Sequence, residues 1–454
     1  MSLFCGEKVD AQLFWKKFDQ QIQHRSEWSL PPLNHEVLFS CLEKMRSQLL
    51  EKSNLQKKLS HDLLQIVRED ELASYFEALI NFISPHHLRT KLRRELGTDF
   101  PFELRRISLR ENHFECWFPM GTLVHMTPNN SPLLNVFALI EGLISGNVNL
   151  LKLARKDTDF AEIFFEELGA LDLTGELKKY IYIHKVSSQS PADLKKFLSV
   201  ADVISAWGNE ESLTSIKSLA PPEARLVEWG HKISASYIAR SQSKNPEVLT
   251  RLAEEICINE QQSCSSPQVV YLETTDPKEL REWAKLFSIS LDQVSKNKPQ
   301  AKLDSQEQAE ITIQCEQIRL SEALAETLLI KSPRNDWRLF VEDNPGLRAS
   351  PLFRTLWIKP MEKNKILETL SPLRKYLQTL GLACTSLEAI ELLPLFYRTG
   401  FLRINPIGKM TESYTGEPHD GVYALQRFCK KVTFTDDFGL NGYTSLEMIK
   451  RIES

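Results

Sequence analysis

Between residues 113 and 230 the sequence alternates between two kinds of apolar pattern, and this alternation restricts the fold more than any other feature. GTLVHMT, VNLLKLA, YIYIHKV, ADVISAW and ARLVEWG are short strand-like runs. PLLNVFALIEGLISG, DFAEIFFEELGAL, PADLKKFLSV and EESLTSIKSL lie between them and carry the longer repeat of a helix. Strands separated by helices need crossover connections, which produce a parallel sheet covered on both faces. A doubly wound α/β sheet of this kind takes ligands beyond the carboxyl ends of its strands.

The rest of the chain arranges itself around that region. At 454 residues it is too long for one simple core, so two or three subdomains are expected. Residues 1–110 read as mostly helical and charged, with helical spacing in FSCLEKMRSQLLEKSNLQKKLSHDLLQIV. They contain a basic patch of Arg89, Lys91, Arg93, Arg94, Arg105, Arg106 and Arg110, which is either a solvated helix and turn or a phosphate contact. The alternating domain spans 111–232. A second α/β region, 233–400, holds the strand VVYLE, the helix PKELREWAKLFSISLDQV and a helical stretch near 363–380. Residues 401–454 include a β-like run, KKVTFTD, and are expected either to serve oligomerisation or to return to the 111–232 domain.

Several function classes are disfavoured by composition. A net charge of −4 gives no general attraction to nucleic acid or to an anionic membrane. The longest apolar stretch, LLNVFALIEGLI, is interrupted by Asn135 and Glu141 and is too short for a membrane span. The N-terminal MSLFCGEKVDAQ lacks the pattern of a signal peptide, so a cytoplasmic protein is expected. None of the eight cysteines forms a CxxC pair or groups with histidines at metal-ligand spacing. Free thiols are therefore expected, with no disulfide framework and no metal site.

Cys264 differs from the other cysteines in its surroundings. It sits in NEQQSCSSPQVVYLE, among small and amide side chains, after an apolar helical pattern and before a strand. Cys257, seven positions earlier on that helix, reads as core. A nucleophilic thiol has to be reachable by substrate, and small loop neighbours provide that access. The thiolate is the reactive form, and an ordinary thiol of pKa ~8.5 is only slightly ionised at neutral pH. The plainer reading of Cys264 is a buried loop thiol without chemistry.

No GxGxxG fingerprint occurs among the seventeen glycines. Five other stretches follow one another in a recognisable order: PMGTLVHMTPNNSPLL, GNVNLLKLAR, VEWGHK, NEQQSC and HDGVYALQRFCKKV. Together they resemble the aldehyde dehydrogenase superfamily from about residue 113 to 432. NEQQSCSSPQ, EDNPGLRASPLFRT and the tail around INPIGK are similar to the LuxC-type acyl-CoA reductases within it. The resemblance implies an α/β, aldehyde-dehydrogenase-like fold. Its parts would be a helical N-terminal region packed on a Rossmann-like nicotinamide-cofactor domain, 111–232, and a catalytic domain, 233–400, carrying the nucleophile.

The resemblance also assigns roles. Cys264 becomes the nucleophile. Asn130 matches the asparagine that, with the cysteine's own N–H, stabilises the oxyanion, although a turn residue capping the following helix is its simpler role. Asn129 reads as the turn or cap residue. Lys152 is expected at the adenosine ribose or its phosphate, with Thr127, Pro128, Ser205, Gly208 and Gly230 as further cofactor contacts. Glu228 lies 36 positions before Cys264 and matches the carboxylate that activates water in aldehyde oxidisers. A reductase must avoid that step, so either Glu228 has another role, such as proton donor or thiol partner, or the reaction runs the other way. His125 and His231 fall in motif stretches, either as packing residues or as a catalytic acid or base. SPLFRT stands where the superfamily has E-x-F-G-P and supplies no matching glutamate.

The implied reaction is NADPH-dependent reduction of a long-chain fatty acyl thioester to the aldehyde through an acyl-Cys264 intermediate. The donor would be acyl-CoA or an acyl-protein, with an acyl-activating synthetase subunit as partner; for the basic patch, a coenzyme A phosphate contact stays the alternative to a solvated helix and turn. Assembly as a homodimer or homotetramer is implied as well. The alternatives are an NAD(P)-dependent aldehyde dehydrogenase and a catalytically idle acyl-holding subunit.

Overall fold

The computed structural model describes residues 2–24, 28–51, 53–67, 69–108, 111–128, 131–155, 157–301, 303–322 and 327–437. The chain divides into two compact units, Met1–Gly230 with Tyr414–Ser454, and His231–Ser413.

The first unit is built on a seven-stranded sheet. Its strands are β1 (Ser2–Phe4), β2 (Glu7–Val9), β3 (Thr122–Met126), β4 (Val148–Leu153), β5 (Ile181–Lys185), β6 (Val203–Trp207) and β7 (Arg225–Trp229), in the order β2-β1-β5-β4-β3-β6-β7. The strands β3 to β7 are parallel, and they are the five runs read from the sequence. Helices Pro132–Ile144, Phe160–Leu171, Pro191–Leu198 and Glu210–Leu219 provide the crossovers. Proline opens the first and third of these, where its missing N–H costs nothing. The strand order reverses direction at β3, and the switch point lies between β3 and β6.

The helical reading of residues 1–110 omits a hairpin. β1 and β2 pair antiparallel across a turn at Cys5 (φ 49°) and Gly6 (φ 64°), and β1 extends the sheet beyond β5. Two left-handed residues match the twist of a tight hairpin, but three-residue strands are too short to show a period. The helices that follow pack into the same apolar core as the sheet, through Phe14, Phe18, Leu42, Met45, Leu79 and Leu92. The stretch after Tyr414 joins this unit as well. Its strand Cys429–Thr435 pairs antiparallel with His113–Pro119, which also pairs with Arg105–Arg106. Asn147 ties these parts together by accepting from Gly121 N at 2.9 Å and donating to Phe428 O at 3.0 Å. Gly121, at φ +134°, has no room for a side chain, because a Cβ there would meet Asp202 Oδ2 at 2.2 Å.

Glu162 is fully buried on the helix Phe160–Leu171, with Lys185 Nζ 4.0 Å away. Burial raises its carboxyl to about 7, and the attraction of Lys185 offsets only part of that. The unfolded chain ionises the same group near ~4.3. The native state therefore holds an extra proton between those values, and this site's contribution to stability falls as pH rises from ~4.3 to about 7. Glu162→Gln is expected to leave stability unchanged near the lower limit and to raise it by about 4 kcal/mol at mildly alkaline pH. Denaturant unfolding of both proteins across pH measures the difference.

The second unit carries another seven-stranded sheet. Its strands are β8 (Ile233–Ile238), β9 (Pro267–Leu272), β10 (Thr327–Lys331), β11 (Arg338–Glu342), β12 (Thr355–Pro360), β13 (Leu377–Ala383) and β14 (Arg403–Pro406), in the order β10-β11-β12-β9-β8-β13-β14. All neighbours are parallel except β10 with β11. One face is covered by the helices Pro246–Cys257 and Pro277–Asn297, which include Leu252, Ile256, Trp283 and Phe287. The other is covered through Ile318, Ile366, Leu392 and Phe396. The helical reading of 363–380 holds only in its first part: the α-helix Ile366–Leu370 is flanked by 3-10 turns at Lys363–Lys365 and Ser371–Leu373, and Leu377–Ala383 is a strand beside β8. Because that strand is buried along nearly its whole length, it lacks the polar alternation that marks a half-exposed strand.

Candidate active site

The first unit has a cavity of about 610 Å³ at the carboxyl ends of β3, β4 and β6. This is the place where a parallel sheet with a switch point holds its ligand. Thr127, Pro128, Lys152, Trp207 and Gly208 line it. Lys152 is 7 % exposed, burial pulls its ammonium below the ordinary value, and Asp157 opposes that shift. Thr127 Oγ1 and Trp207 Nε1 are buried without a hydrogen-bond partner among the described residues. A desolvated cation and two unpaired hydroxyl and indole groups around one cavity fit the phosphate and ribose of a nucleotide.

The second unit holds the thiol. None of the eight cysteines is in a disulfide, and Cys264 is the only exposed one among them. It sits on a loop between the helix Pro246–Cys257 and β9, and that loop is anchored on several sides. Ser234 Oγ donates to Cys264 O at 2.6 Å and accepts from Thr379 N at 3.1 Å. Arg403 Nη1 donates to Ser265 Oγ at 3.0 Å, and Gln261 Nε2 donates to Pro267 O at 2.6 Å. The helix leading in is fixed by Glu255, whose carboxylate accepts from Gly408 N at 2.7 Å and Met410 N at 2.5 Å. These last two residues belong to the INPIGK stretch and the residue after it.

Just before the thiol, Asn259, Glu260 and Gln261 are all left-handed, at φ 47°, 51° and 64°. Leu352, Phe353 and Arg354 form a second such run, at φ 63°, 49° and 61°. Each costs roughly 1–2 kcal/mol in an L-residue, so neither turn forms unless its surroundings impose it. The two turns hold each other. Phe353 N donates to Glu260 O at 3.0 Å, and Thr355 N donates to Gln261 Oε1 at 3.0 Å. Arg354, 1 % exposed, directs Nη2 to Glu260 Oε1 at 2.6 Å and Nη1 to Lys298 O at 2.7 Å. Sequence reasoning missed both Glu260 and Arg354. The available signal was an arginine placed directly before the apolar strand TLWIKP, within SPLFRT.

The remaining candidates are distributed as follows. Ser205 is buried on β6 and accepts from Trp229 Nε1 at 2.9 Å, behind the cavity wall. Gly230 follows β7 and does not line the cavity. Glu228 lies on the edge strand β7, partly exposed, with its carboxylate 2.7 Å from Lys217 Nζ. Asn129 and Asn130 lie outside the described residues, as does Arg110. His125 is fully buried and pairs through Nε2 with Asn149 Oδ1 at 3.0 Å; burial lowers it to about 4, so it is neutral packing. His231 is exposed. Much of the basic patch is neutralised internally: Lys91 is buried against Glu95 and Glu141, Arg93 meets Asp99, and Arg89 meets Glu36.

The model of the acyl-CoA reductase (LuxC) family matches residues 31–431. The chain belongs to the LuxC family. Relatives include the long-chain acyl-protein thioester reductase of Photorhabdus luminescens, 25% identical over 347 residues, which are 74% of this chain and 68% of that protein. The reductase of the same description from Vibrio harveyi is 23% identical over 325 residues, 70% of this chain and 66% of the relative. The LuxC chain described here thus spans about two-thirds of the length of those relatives. Among solved structures it is similar to an NADP-dependent glyceraldehyde-3-phosphate dehydrogenase from Bacillus halodurans, with TM-score 0.67 and 11% identity over 96% of this chain and 95% of that one. Aldehyde dehydrogenase 21 from Physcomitrella patens gives TM-score 0.65 and 14% identity over 88% and 86%. These likenesses establish an aldehyde-dehydrogenase fold for this LuxC protein. No helix among the described residues is long and apolar enough to cross a membrane.

Proposed function

We propose that the protein reduces a long-chain fatty acyl thioester to the aldehyde with NADPH, through an acyl-Cys264 intermediate. The observation that carries this reading is one exposed thiol on a rigidly held loop, in a LuxC-family chain whose other unit has a nucleotide-sized cavity. The relatives named as acyl-protein thioester reductases support an acyl-protein donor, and the family description supports acyl-CoA.

In this reading the Cys264 thiolate attacks the thioester carbonyl, a new S–C bond forms and the carrier thiol departs. Asn130 and the Cys264 N–H donate to the oxygen as charge builds there. NADPH, when bound, supplies the hydride that takes the acyl thioester to a thiohemiacetal. Breakage of its C–S bond releases the aldehyde and regenerates the thiol, consuming one proton overall. Thr127, Pro128, Lys152 and Gly208, which line the cavity, serve the cofactor, with Lys152 as its charged contact; Ser205 and Gly230 do not line it, and Ser205 serves only as the acceptor that holds Trp229. Glu228, the carboxylate on the edge strand β7 that the resemblance matches to water activation, is engaged by Lys217. Glu228 is left with the role of proton donor or thiol partner. An acyl-activating synthetase subunit is the proposed supplier of the acyl group. Homodimer or homotetramer assembly would use the edge strand Cys429–Thr435.

Lys152→Gln is expected to weaken NADPH binding by roughly ten- to a hundredfold, the usual value of a hydrogen bond to a charged group. Acylation of Cys264 should be unaffected. Calorimetric titration with NADPH and an acylation assay without it separate the two effects. The reaction itself is tested by stoichiometry: one NADPH consumed per aldehyde formed from a long-chain acyl-CoA supports the proposal. Carboxylic acid formed from aldehyde and NADP⁺, with no reaction in the other direction, would identify a dehydrogenase instead.

A further inference from the structure

The second unit has a cavity of about 560 Å³ that acyl transfer to Cys264 leaves unused. Three cations line it, Arg319, Lys331 and Arg338, and the only carboxylate among the described lining residues, Glu316, is already paired with Arg319. Arg338 is the decisive residue. It is 3 % exposed, and Nη2 donates to Asn335 O at 2.6 Å. Its Nε and Nη1 have no partner among the described residues. Burial pulls this guanidinium below its ordinary value, yet an arginine stays charged at any physiological pH. Proteins seldom leave a buried cation with two open donors, and a planar fork facing a cavity is suited to phosphate or carboxylate oxygens.

The location connects the cavity to the loop of the nucleophile. Arg338 opens β11, and Cys264 lies three residues before β9. β11, β12 and β9 are adjacent and parallel, so Arg338 and Pro267, with which β9 opens, are at the amino edge of one sheet, two strand spacings apart or roughly 10 Å across. Two residues of the cavity wall also touch the turns that hold the thiol loop. Gln300 Nε2 donates to Phe353 O at 3.1 Å, and Ala301 N donates to Glu260 Oε1 at 3.2 Å.

We propose that this cavity is an anion site that takes the phosphate-bearing end of coenzyme A while Cys264 takes the acyl group. The proposal rests on the acyl-thioester reading above. The pantetheine arm between the thioester and the phosphates is longer, when extended, than the gap along the sheet edge. The basic patch of the first unit, with Lys91, Arg89 and Arg93 engaged by carboxylates, is the poorer phosphate contact.

Cys315 lines the cavity and reports on its occupancy without any catalysis. In full-length Cys264→Ala protein, the rate of Cys315 modification by N-ethylmaleimide is followed by peptide mass spectrometry, with inorganic pyrophosphate or desulfo-coenzyme A as probe. Both probes should slow it by about fivefold or more at saturation, as expected when a ligand covers a pocket wall. The protection should be lost in Lys331→Gln and in Arg338→Met. With Cys264 intact, Lys331→Gln should lower the acylation rate from acyl-CoA by roughly tenfold, the effect of one lost charge-assisted contact. Acylation from acyl-pantetheine, which has no phosphate, should change less than about twofold. Absence of protection by desulfo-coenzyme A overturns the proposal, and so does an equal loss with both thioesters. Protection by pyrophosphate alone overturns the coenzyme A assignment. If acyl-Cys264 forms normally while these tests fail, the anion site falls and the reductase reading stands; if no acyl-Cys264 forms from any thioester, the reductase reading falls.

Discussion

Cys264→Ala is expected to lower acyl-thioester reduction by on the order of 10³-fold or more while leaving NADPH affinity within about twofold. The size of this effect follows from the absence of a substitute thiol. Cys41, Cys116, Cys257, Cys315, Cys384 and Cys429 are all shifted upward by burial, Cys429 to about 12. Cys5 is within hydrogen-bond distance of the Tyr182 hydroxyl on the first unit. Without Cys264 the acyl group has no covalent station, and direct hydride attack on a free thioester would lose the proximity that the loop provides. Cys264→Ser should be nearly as inactive, since a hydroxyl is a far weaker nucleophile at neutral pH. Stopped-flow NADPH oxidation and a binding titration give both numbers. Residual turnover within about tenfold of wild type would remove Cys264 from the chemistry.

Arg354→Met should have the second-largest effect, although the side chain is buried and never meets substrate. Removing one partner of a buried ion pair costs about 3–5 kcal/mol, because Glu260 is left charged in a dry site. The two left-handed turns then lose the bonds that offset their strain, and the loop carrying the thiol relaxes. A misplacement of about 1 Å at a reacting atom commonly costs about 10²-fold, so acylation should fall by that order. Stability and positioning can be separated. The double variant Glu260→Gln/Arg354→Met removes both charges, so most of the stability should return while acylation stays low. Arg354→Lys should rescue only partly, since a single ammonium cannot reach Glu260 Oε1 and Lys298 O as the guanidinium fork does. Full acylation by the double variant, measured alongside its denaturation curve, would reduce the pair to a purely structural element.

Much of this protein is legible in its sequence. The five parallel strands and four crossover helices of the first unit come directly from periodicity, because each element is long enough to show its repeat. Thr127, Pro128, Lys152 and Gly208 come together around one cavity because each closes or follows a strand at the same sheet edge. The hairpin Ser2–Val9 is not legible, since its strands are three residues long. Leu377–Ala383 is misread because burial along the strand removes the alternation. The least legible feature is the pair of facing turns, where six non-glycine residues adopt left-handed backbone. No local propensity predicts such a conformation; it follows from tertiary bonds between segments more than ninety positions apart, of which Arg354–Glu260 is the strongest.

The central claim, a covalent acyl-Cys264 intermediate discharged by NADPH, is tested most directly by intact mass. The protein is mixed with a long-chain acyl-CoA, first alone and then with NADPH. The account predicts a single added acyl mass that maps to Cys264, persists without the cofactor and disappears as free aldehyde forms. An unmodified protein that nevertheless converts acyl-CoA to aldehyde, or an acyl adduct on Cys264 that NADPH leaves in place, would contradict it.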